Sequence, residues 1–240
     1  METVNLQLLS GESIEVSLER KRIKTSRLKV YPDQRVVLAL PESAPDSWAK
    51  DFLESKKDWI VTKLESFKRT SGYAATTEIR NGYSIQMLGE DLIFSVSVSK
   101  RDYVFKEGKV IHICSPDISD QEKLIVLFQK WWRKQSKEIV EQRVDHWYPI
   151  IEKYGIPKPR VFIRKMATMW GSCSVKRGAI VFNLYLLKAR IACIDYVVLH
   201  ELTHFLYPNH SKQFYCFLSN YIPDWKDRKT ILDQDVVHGL

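Results

Sequence analysis

The sequence has few cysteines and no long apolar run. Its four cysteines (Cys114, Cys173, Cys193 and Cys216) lie far apart along 240 residues and show no paired spacing. This spacing argues against a disulfide-stapled secreted protein, so reduced thiols and a cytoplasmic location are expected. No apolar stretch approaches the roughly 18–20 residues of a membrane-spanning helix, so no membrane partner is expected. Residues 1–5 also lack the basic and apolar regions of a signal peptide.

Basic residues outnumber acidic ones. Lys and Arg total 37 and Asp and Glu total 29, which gives a net charge of +8. Six of the basic residues fall between Arg20 and Lys29, where they indicate either a solvated strand face and turn or an anion-binding patch. The excess favours an acidic partner without identifying it, since nucleic acid, a nucleotide and an acidic protein would each fit.

The hydrophobic pattern predicts an α+β fold with a β-rich N-terminal part that also contains helices. Residues 14–18 alternate apolar and polar side chains, and residues 36–40 form an apolar run that stops at Pro41, so both segments are predicted strands. A helix is predicted over residues 45–72, and a second group of strands over residues 92–113. No internal repeat is evident.

A long helix is predicted from about Ser119 to Tyr154, where Gly155 provides a stop signal. We therefore divide the chain into a β-rich N-terminal part at residues 1–116, a connecting helix at 117–156 and a C-terminal part at 157–240. The C-terminal part is predicted to contain a hairpin of Met169–Ser174 with Ala179–Asn183. Two helices are predicted to follow it, over residues 195–206 and 209–220.

The segment His200-Glu201-Leu202-Thr203-His204 lies in the first of these two helices. Imidazoles four residues apart lie one turn above each other on one helix face, so both can bind one Zn²⁺. Glu201 lies near that face and can activate a metal-bound water, whose pKa zinc lowers to about 7. His210 follows the helix-breaking Pro208 and can return to the metal as a third imidazole, which leaves one open position of a tetrahedral site.

Two alternatives stay open for these segments. His200 and His204 could be core histidines and His210 a residue of the next helix cap, although neutral imidazoles in an apolar helix need partners. Residues 170–174 could be an edge strand that pairs with an extended substrate, with Gly171 allowing close backbone approach and Ser172 bonding a substrate carbonyl. They could equally be a packing motif in which Trp170 covers the metal-binding helix.

The residues that follow Met169 carry a family resemblance. Trp170–Ser174, Ile194–His204, Asn209–Ser211 and Pro223–Trp225 closely resemble the YgjP-like metallopeptidase family, a zincin group akin to SprT-like and WLM domains. The resemblance covers nearly the whole chain. The family usually has Arg at the position of Met169.

The resemblance implies a zincin-like catalytic part at residues 157–240, with the HExxH motif on a helix. It implies that His200, His204 and His210 are the metal ligands and that Glu201 is the general base. The most favoured function is a zinc-dependent metallopeptidase that acts on a peptide or protein. A metal-dependent nucleoside triphosphate pyrophosphohydrolase is the alternative, and a nucleic-acid-associated SprT-like protease is the second alternative. Neither a phosphate-binding loop nor a DNA-reading motif supports them, and the sequence indicates no oligomeric state.

Overall fold

A computed structural model describes residues 2–7, 13–31, 34–70, 78–166 and 169–235. The fold is α+β, as predicted. The chain forms two compact units, Met1–Gly72 and Tyr73–Leu240. The predicted part boundaries at residues 116 and 156 both fall inside the second unit.

The first unit is a four-stranded sheet with two helices. Its elements are β1 (Glu2–Gln7), β2 (Ser13–Lys21), β3 (Arg27–Val30), β4 (Val36–Pro41), α1 (Asp46–Ser55) and α2 (Lys57–Thr70). The strand order is β1-β2-β4-β3, with β2 and β4 parallel and both outer pairs antiparallel. Alternate apolar side chains such as Val16, Leu18 and Leu38 point into one core. The single predicted helix is in fact two, because the chain leaves helical geometry at Lys56.

The first half of the basic stretch is paired with carboxylates. Arg20 pairs with both Glu2 and Asp46, and Lys21 pairs with Glu19. The guanidinium of Arg20 also donates to the carbonyl of Ala44 at 2.6 Å. These contacts favour the interpretation of a solvated strand and turn over a free anion-binding patch.

The second unit begins with another four-stranded sheet, made of β5 (Ser84–Met87), β6 (Glu90–Val98), β7 (Tyr103–Glu107) and β8 (Val110–Ser115). Its order is β5-β6-β8-β7, with β6 and β8 parallel and both outer pairs antiparallel. The first sheet has the same order and the same strand directions. The structure therefore repeats a topology that the sequence did not reveal as a repeat.

A long helix, α3 (Gln121–Trp147), follows this sheet and covers one of its faces. The carboxylate of Asp120 caps α3 by accepting the Lys123 amide at 2.9 Å. The sequence predicted one helix as far as Tyr154, but α3 ends at Trp147. A short helix, α4 (Pro149–Glu152), starts separately because Pro149 has no amide hydrogen to donate to the preceding turn.

The C-terminal part of the second unit contains a third sheet and three further helices. They are β9 (Arg160–Arg164), β10 (Gly171–Ser174), β11 (Ala179–Asn183), α5 (Ile191–Thr203), α6 (Lys212–Tyr221) and α7 (Trp225–Asp235). The order β10-β11-β9 confirms the predicted hairpin and makes β10 an edge strand. Helix α5 starts four residues before the predicted Asp195, and only helical elements follow β11 in the described part of the chain.

Helix α5 is held to α3 by a partly buried ionic contact. Asp195 accepts from Arg143 Nε at 2.5 Å and from Trp147 Nε1 at 2.9 Å. Apolar side chains of α5, including Ile194 and Val198, lie in the surrounding core. The position of α5 is thus fixed by a specific polar contact as well as by packing. Within the described residues, no helix combines the length and the hydrophobicity needed to cross a membrane.

Candidate active site

Three imidazoles converge at the C-terminal end of α5. One ring nitrogen each from His200, His204 and His210 lies within 4.8 Å of the others. The Nε2 atoms of His200 and His210 are 2.9 Å apart. The structure therefore brings together the three histidines that the sequence singled out, including the one from the loop between α5 and α6.

A buried phenylalanine on α6 supports all three rings. The Phe214 ring centroid lies 4.9 Å from that of His200 and 4.8 Å from those of His204 and His210. Phe214 is fully buried, and its amide donates to the Ser211 hydroxyl that caps α6 at 3.3 Å. The start of α6 therefore positions one buried ring in contact with all three imidazoles.

A column of parallel rings connects the loop histidine to α5. The His210 ring stacks on Tyr215 at 6.0 Å, Tyr215 stacks on Trp225 at 4.8 Å, and Trp225 stacks on Tyr196 at 6.4 Å. The three interplanar angles are 23°, 16° and 15°. Trp225 is also fixed at its indole nitrogen, which donates to the Ser219 hydroxyl at 3.0 Å. His210 is solvent-exposed, so this column rather than burial restrains its ring.

The environment keeps two of the imidazoles neutral. Burial lowers the pKa of His200 to about 3, and the neighbouring His204 and His210 add to the effect. Burial also lowers the pKa of His204. The Nδ1 atom of His204 lies 3.3 Å from the Tyr207 carbonyl, which accepts from the Nδ1–H tautomer and leaves Nε2 free. Neutral imidazole nitrogens are suitable ligands for zinc and related ions, so the residues fit a metal ion.

Glu201 lies beside the histidines and is only 6% exposed. Burial raises the pKa of its carboxyl to about 8, against the opposing effect of a hydrogen bond from the Cys173 backbone. The same burial and the Glu201 charge raise the pKa of the Cys173 thiol to about 12, which disfavours a thiolate ligand or nucleophile. The site thus contains a carboxyl group that changes protonation near neutral pH.

Strand β10 runs directly against Glu201. A Cβ atom added to Gly171 would lie 2.6 Å from both Cγ and Oε1 of Glu201, so only glycine fits there. The backbone amide of Asn183 donates to the Trp170 carbonyl at 2.9 Å. Since hydrogen-bonded positions alternate along an antiparallel pair, the backbone groups of Trp170 and Ser172 point toward β11. The backbone groups of Gly171 and Cys173 therefore face the open edge of the sheet.

The three residues predicted to bind substrate have different environments. Trp170 packs against the core around α5, as the packing interpretation expected. Gly171 contacts Glu201, and Ser172 is exposed on the edge strand. Trp170 thus packs and Gly171 borders Glu201, while substrate binding by these residues stays a prediction.

Sequence reasoning assigned no role to Asn183, which is fully buried at the end of β11. Its side-chain amide donates to the carbonyls of Met166 and Met169, both at 2.8 Å. Its side-chain oxygen Oδ1 accepts from the Tyr185 backbone amide at 3.2 Å. Asn183 thus holds the segment that leads into β10. The sequence feature that could have identified this role is an asparagine at the end of an apolar strand.

Comparisons with known proteins place this geometry in a family context. The family model described as YgjP-like, metallopeptidase domain, matches residues 24–235. The crystal structure of the metallopeptidase zymogen abylysin of Pyrococcus abyssi is 25% identical over 39% of this chain and 91% of its own, with a TM-score of 0.35. The zymogen structure of Methanocaldococcus jannaschii jannalysin is 23% identical over 41% and 90%, also with a TM-score of 0.35. No curated protein matches the chain.

Proposed function

The chain belongs to the YgjP-like metallopeptidase family, and we propose that it is a zinc-dependent peptidase whose ion is held by His200, His204 and His210. The observation that carries the proposal is the convergence of these three imidazoles within 4.8 Å, beside a buried carboxyl and an edge strand. Family membership supports a metal ion and a peptide or protein substrate. The donor set supports zinc, because three neutral imidazoles are a common catalytic zinc set.

Glu201 is the proposed general base. Zinc, when bound, acts as a Lewis acid that polarises the scissile carbonyl and the attacking water. Glu201 accepts a proton from that water and passes it to the leaving amine nitrogen. Burial raises the pKa of this carboxyl in the metal-free protein, and a cation bound beside it would favour the carboxylate form that accepts the proton. Burial of the carboxyl also keeps bulk water away from the transferred proton.

The open edge of β10 is the proposed site for the substrate backbone. Peptides commonly bind such edges by adding a strand, which supplies main-chain hydrogen bonds without regard to sequence. The outward backbone groups of Gly171 and the carbonyl of Cys173 are available for this pairing, whereas the Cys173 amide already donates to Glu201. Since the Cys173 amide also contacts Glu201, the bound peptide and the general base would share one hydrogen-bonding strand. The cytoplasmic location stays a prediction.

The test is hydrolysis by zinc-loaded protein and by Glu201→Gln, with a mixed peptide library and nucleoside triphosphates offered in parallel. We expect peptide cleavage by the wild type and a fall of roughly 10²–10⁴-fold in Glu201→Gln. The matched control is Glu152→Gln, which changes an exposed glutamate of α4 and should leave turnover unchanged. Hydrolysis of triphosphates alone would instead favour the pyrophosphohydrolase, and full peptide turnover by Glu201→Gln would remove Glu201 from the mechanism.

A further inference from the structure

One face of the β5-β6-β8-β7 sheet carries α3, and the opposite face is open. Phe94 and Ile111, which are cross-strand partners, point into the core, where Phe94 meets Phe128 of α3 at 5.1 Å. The residues one position along each strand therefore point to the other side. On that side Ile93 remains 48% exposed. We call this side the open face.

The open face presents a row of three parallel aromatic rings. Phe105 of β7 stacks on His112 of β8 with centroids 4.6 Å apart and an interplanar angle of 12°. Tyr103, two residues before Phe105, stacks on it at 5.9 Å and 22°. Tyr103 is 48% exposed and Phe105 is 40% exposed. A core would bury these rings, whereas here Tyr103 at the end of the row and Phe105 within it remain partly exposed.

Three cations lie in the turns at the two ends of β7. Lys100 and Arg101 precede the strand, and Lys109 follows it. Lys106, within β7, pairs with the inward-pointing Ile111 and therefore lies on the α3 side rather than on the open face. No carboxylate of the described residues lies within 4.0 Å of the side-chain cations of Lys100, Arg101 or Lys109.

Two acidic residues, Asp102 and Glu107, lie near these cations in sequence. Asp102 is already paired with Lys123 at 2.9 Å, and Glu107 lies 3.8 Å from His112. The turn with Lys100 and Arg101 therefore carries positive charge beside Tyr103, whereas Glu107, two residues after Phe105, adds negative charge at the other end of the row.

From this combination we propose that the open face binds single-stranded nucleic acid. Unpaired bases can extend the stack of Tyr103, Phe105 and His112, because every base has a flat aromatic surface. The phosphates that connect the bases then meet Lys100 and Arg101. A duplex hides its base surfaces inside its own stack, so the rings select single strands. The face is distinct from the histidine cluster and would bring nucleic acid to the protein independently of peptide cleavage.

The experiment measures fluorescence anisotropy of a labelled oligo-dT of about 20 nucleotides with the full chain, at salt concentrations from about 50 to 200 mM. We expect binding that weakens steeply with salt and is much weaker for a duplex of equal length. Phe105→Ala should weaken binding by about 5- to 100-fold, and Phe105→Trp should restore it. The aromatic control is Tyr154→Ala, an exposed ring on another part of the unit, which should bind like wild type.

Charge reversal provides a second and independent variant. Lys100→Glu with Arg101→Glu should weaken binding and make its salt dependence shallower, since fewer phosphate contacts remain. Lys50→Glu with Lys56→Glu makes the same charge change within α1 and at its C-terminal cap, and should have little effect. Three results would overturn the proposal: no binding by folded wild type, equal binding of duplex and single strand, or equal losses in the control variants. Self-association of the protein that Phe105→Ala abolishes, with no nucleic-acid binding, would identify a second copy as the occupant instead.

Discussion

Gly171 and Glu201 are in contact so close that any side chain on Gly171 would overlap the carboxyl group. The overlap would place a methyl carbon 2.6 Å from Glu201 Oε1. Gly171 has no left-handed backbone angle, so the requirement for glycine here is space alone. The edge strand and the proposed general base therefore fix each other's positions.

Gly171→Ala should consequently displace Glu201 while leaving the histidines in place. We expect the catalytic rate to fall by about 10²-fold, the effect of a shift of about 1 Å at a reacting group, with zinc content unchanged. Ser174→Ala, at the far end of the same strand, is the control for a general effect on β10. Equal activity of Gly171→Ala and wild type would show that the contact does not position the base.

The raised pKa of Glu201 predicts a pH-dependent stability of the metal-free protein. Folding raises this pKa from 4.5 to about 8, so the protonated form is favoured in the folded state. The stabilisation is complete below about pH 4.5 and is lost as the pH rises through about 8. Glu201→Gln cannot ionise, so we expect its melting temperature to exceed that of wild type by several degrees at pH 8 and by little at pH 5. Calorimetry in a chelator measures the difference, and a constant offset across this range would contradict it.

The lowered pKa values of His200 and His204 predict metal retention in mild acid. An ordinary histidine, with a pKa of about 6.5, exchanges its metal for a proton below that pH. Burial lowers the pKa of His200 to about 3 and lowers that of His204, so protons compete less well. We expect zinc to stay bound below pH 6.5. Dialysis in pH steps followed by elemental analysis would detect release centred at 6.5, which would contradict this.

The ligand assignment predicts a graded response to histidine substitution. The double variant His200→Ala with His204→Ala should contain no stoichiometric zinc, because one imidazole remains. His210→Ala should bind zinc more weakly but measurably, since both helix ligands remain. His146→Ala, which changes an exposed histidine of α3, is the control. Competition with a chromophoric chelator gives the affinities, and stoichiometric zinc in the double variant would reject the assignment.

The aromatic column predicts that Trp225 affects the metal without touching it. Trp225→Ala should free the Tyr215 ring and hence the His210 ring. We expect zinc affinity to fall by about tenfold, which is a typical effect of losing a group that orients a metal ligand. Trp225→Phe retains a stacking ring and should recover much of the affinity. Trp59→Ala, an exposed tryptophan of α2, is the control. Unchanged zinc affinity in folded Trp225→Ala would show that the column does not restrain His210.

The partly buried contact between α3 and α5 predicts a measurable loss of stability. Removing Asp195 leaves the Arg143 guanidinium and the Trp147 indole without this acceptor, and an unsatisfied polar group of this kind costs about 1–3 kcal/mol. We expect a destabilisation of this size for Asp195→Ala, measured by urea unfolding. Asp145→Ala breaks the exposed pair with Lys158 and should cost far less. Similar losses for the two variants would show that the partly buried contact has no special role.

The local sequence was sufficient to predict the helix that carries the HExxH motif and the hairpin that precedes it. Both depend on short periods, four residues for the histidines and two for the strands, which the sequence displays directly. The convergence of His210 was also foreseen, because Pro208 excludes a continuous helix from His200 through His210, although α5 already ends at Thr203. Element ends were less accurate, as the starts of α4 and α5 show.

The contacts that hold the site together were not predictable in the same way. Asn183 and Phe214 act across long stretches of chain, and no periodicity connects them to their partners. The stack of Tyr215 and Trp225 joins α6 to α7, so it exists only once both helices are packed. Such contacts depend on tertiary structure, which a single sequence does not display.

The repeated strand order shows that one topology can carry two different surfaces. In register, Arg27 and Lys29 occupy in β3 the places that Tyr103 and Phe105 occupy in β7. The residue between each pair, Leu28 in β3 and Val104 in β7, is apolar and packs against the core of its own sheet. The outward residues are basic in the first sheet and aromatic in the second. The same strand order is thus compatible with different outward chemistry, because the outward side chains take no part in packing the core.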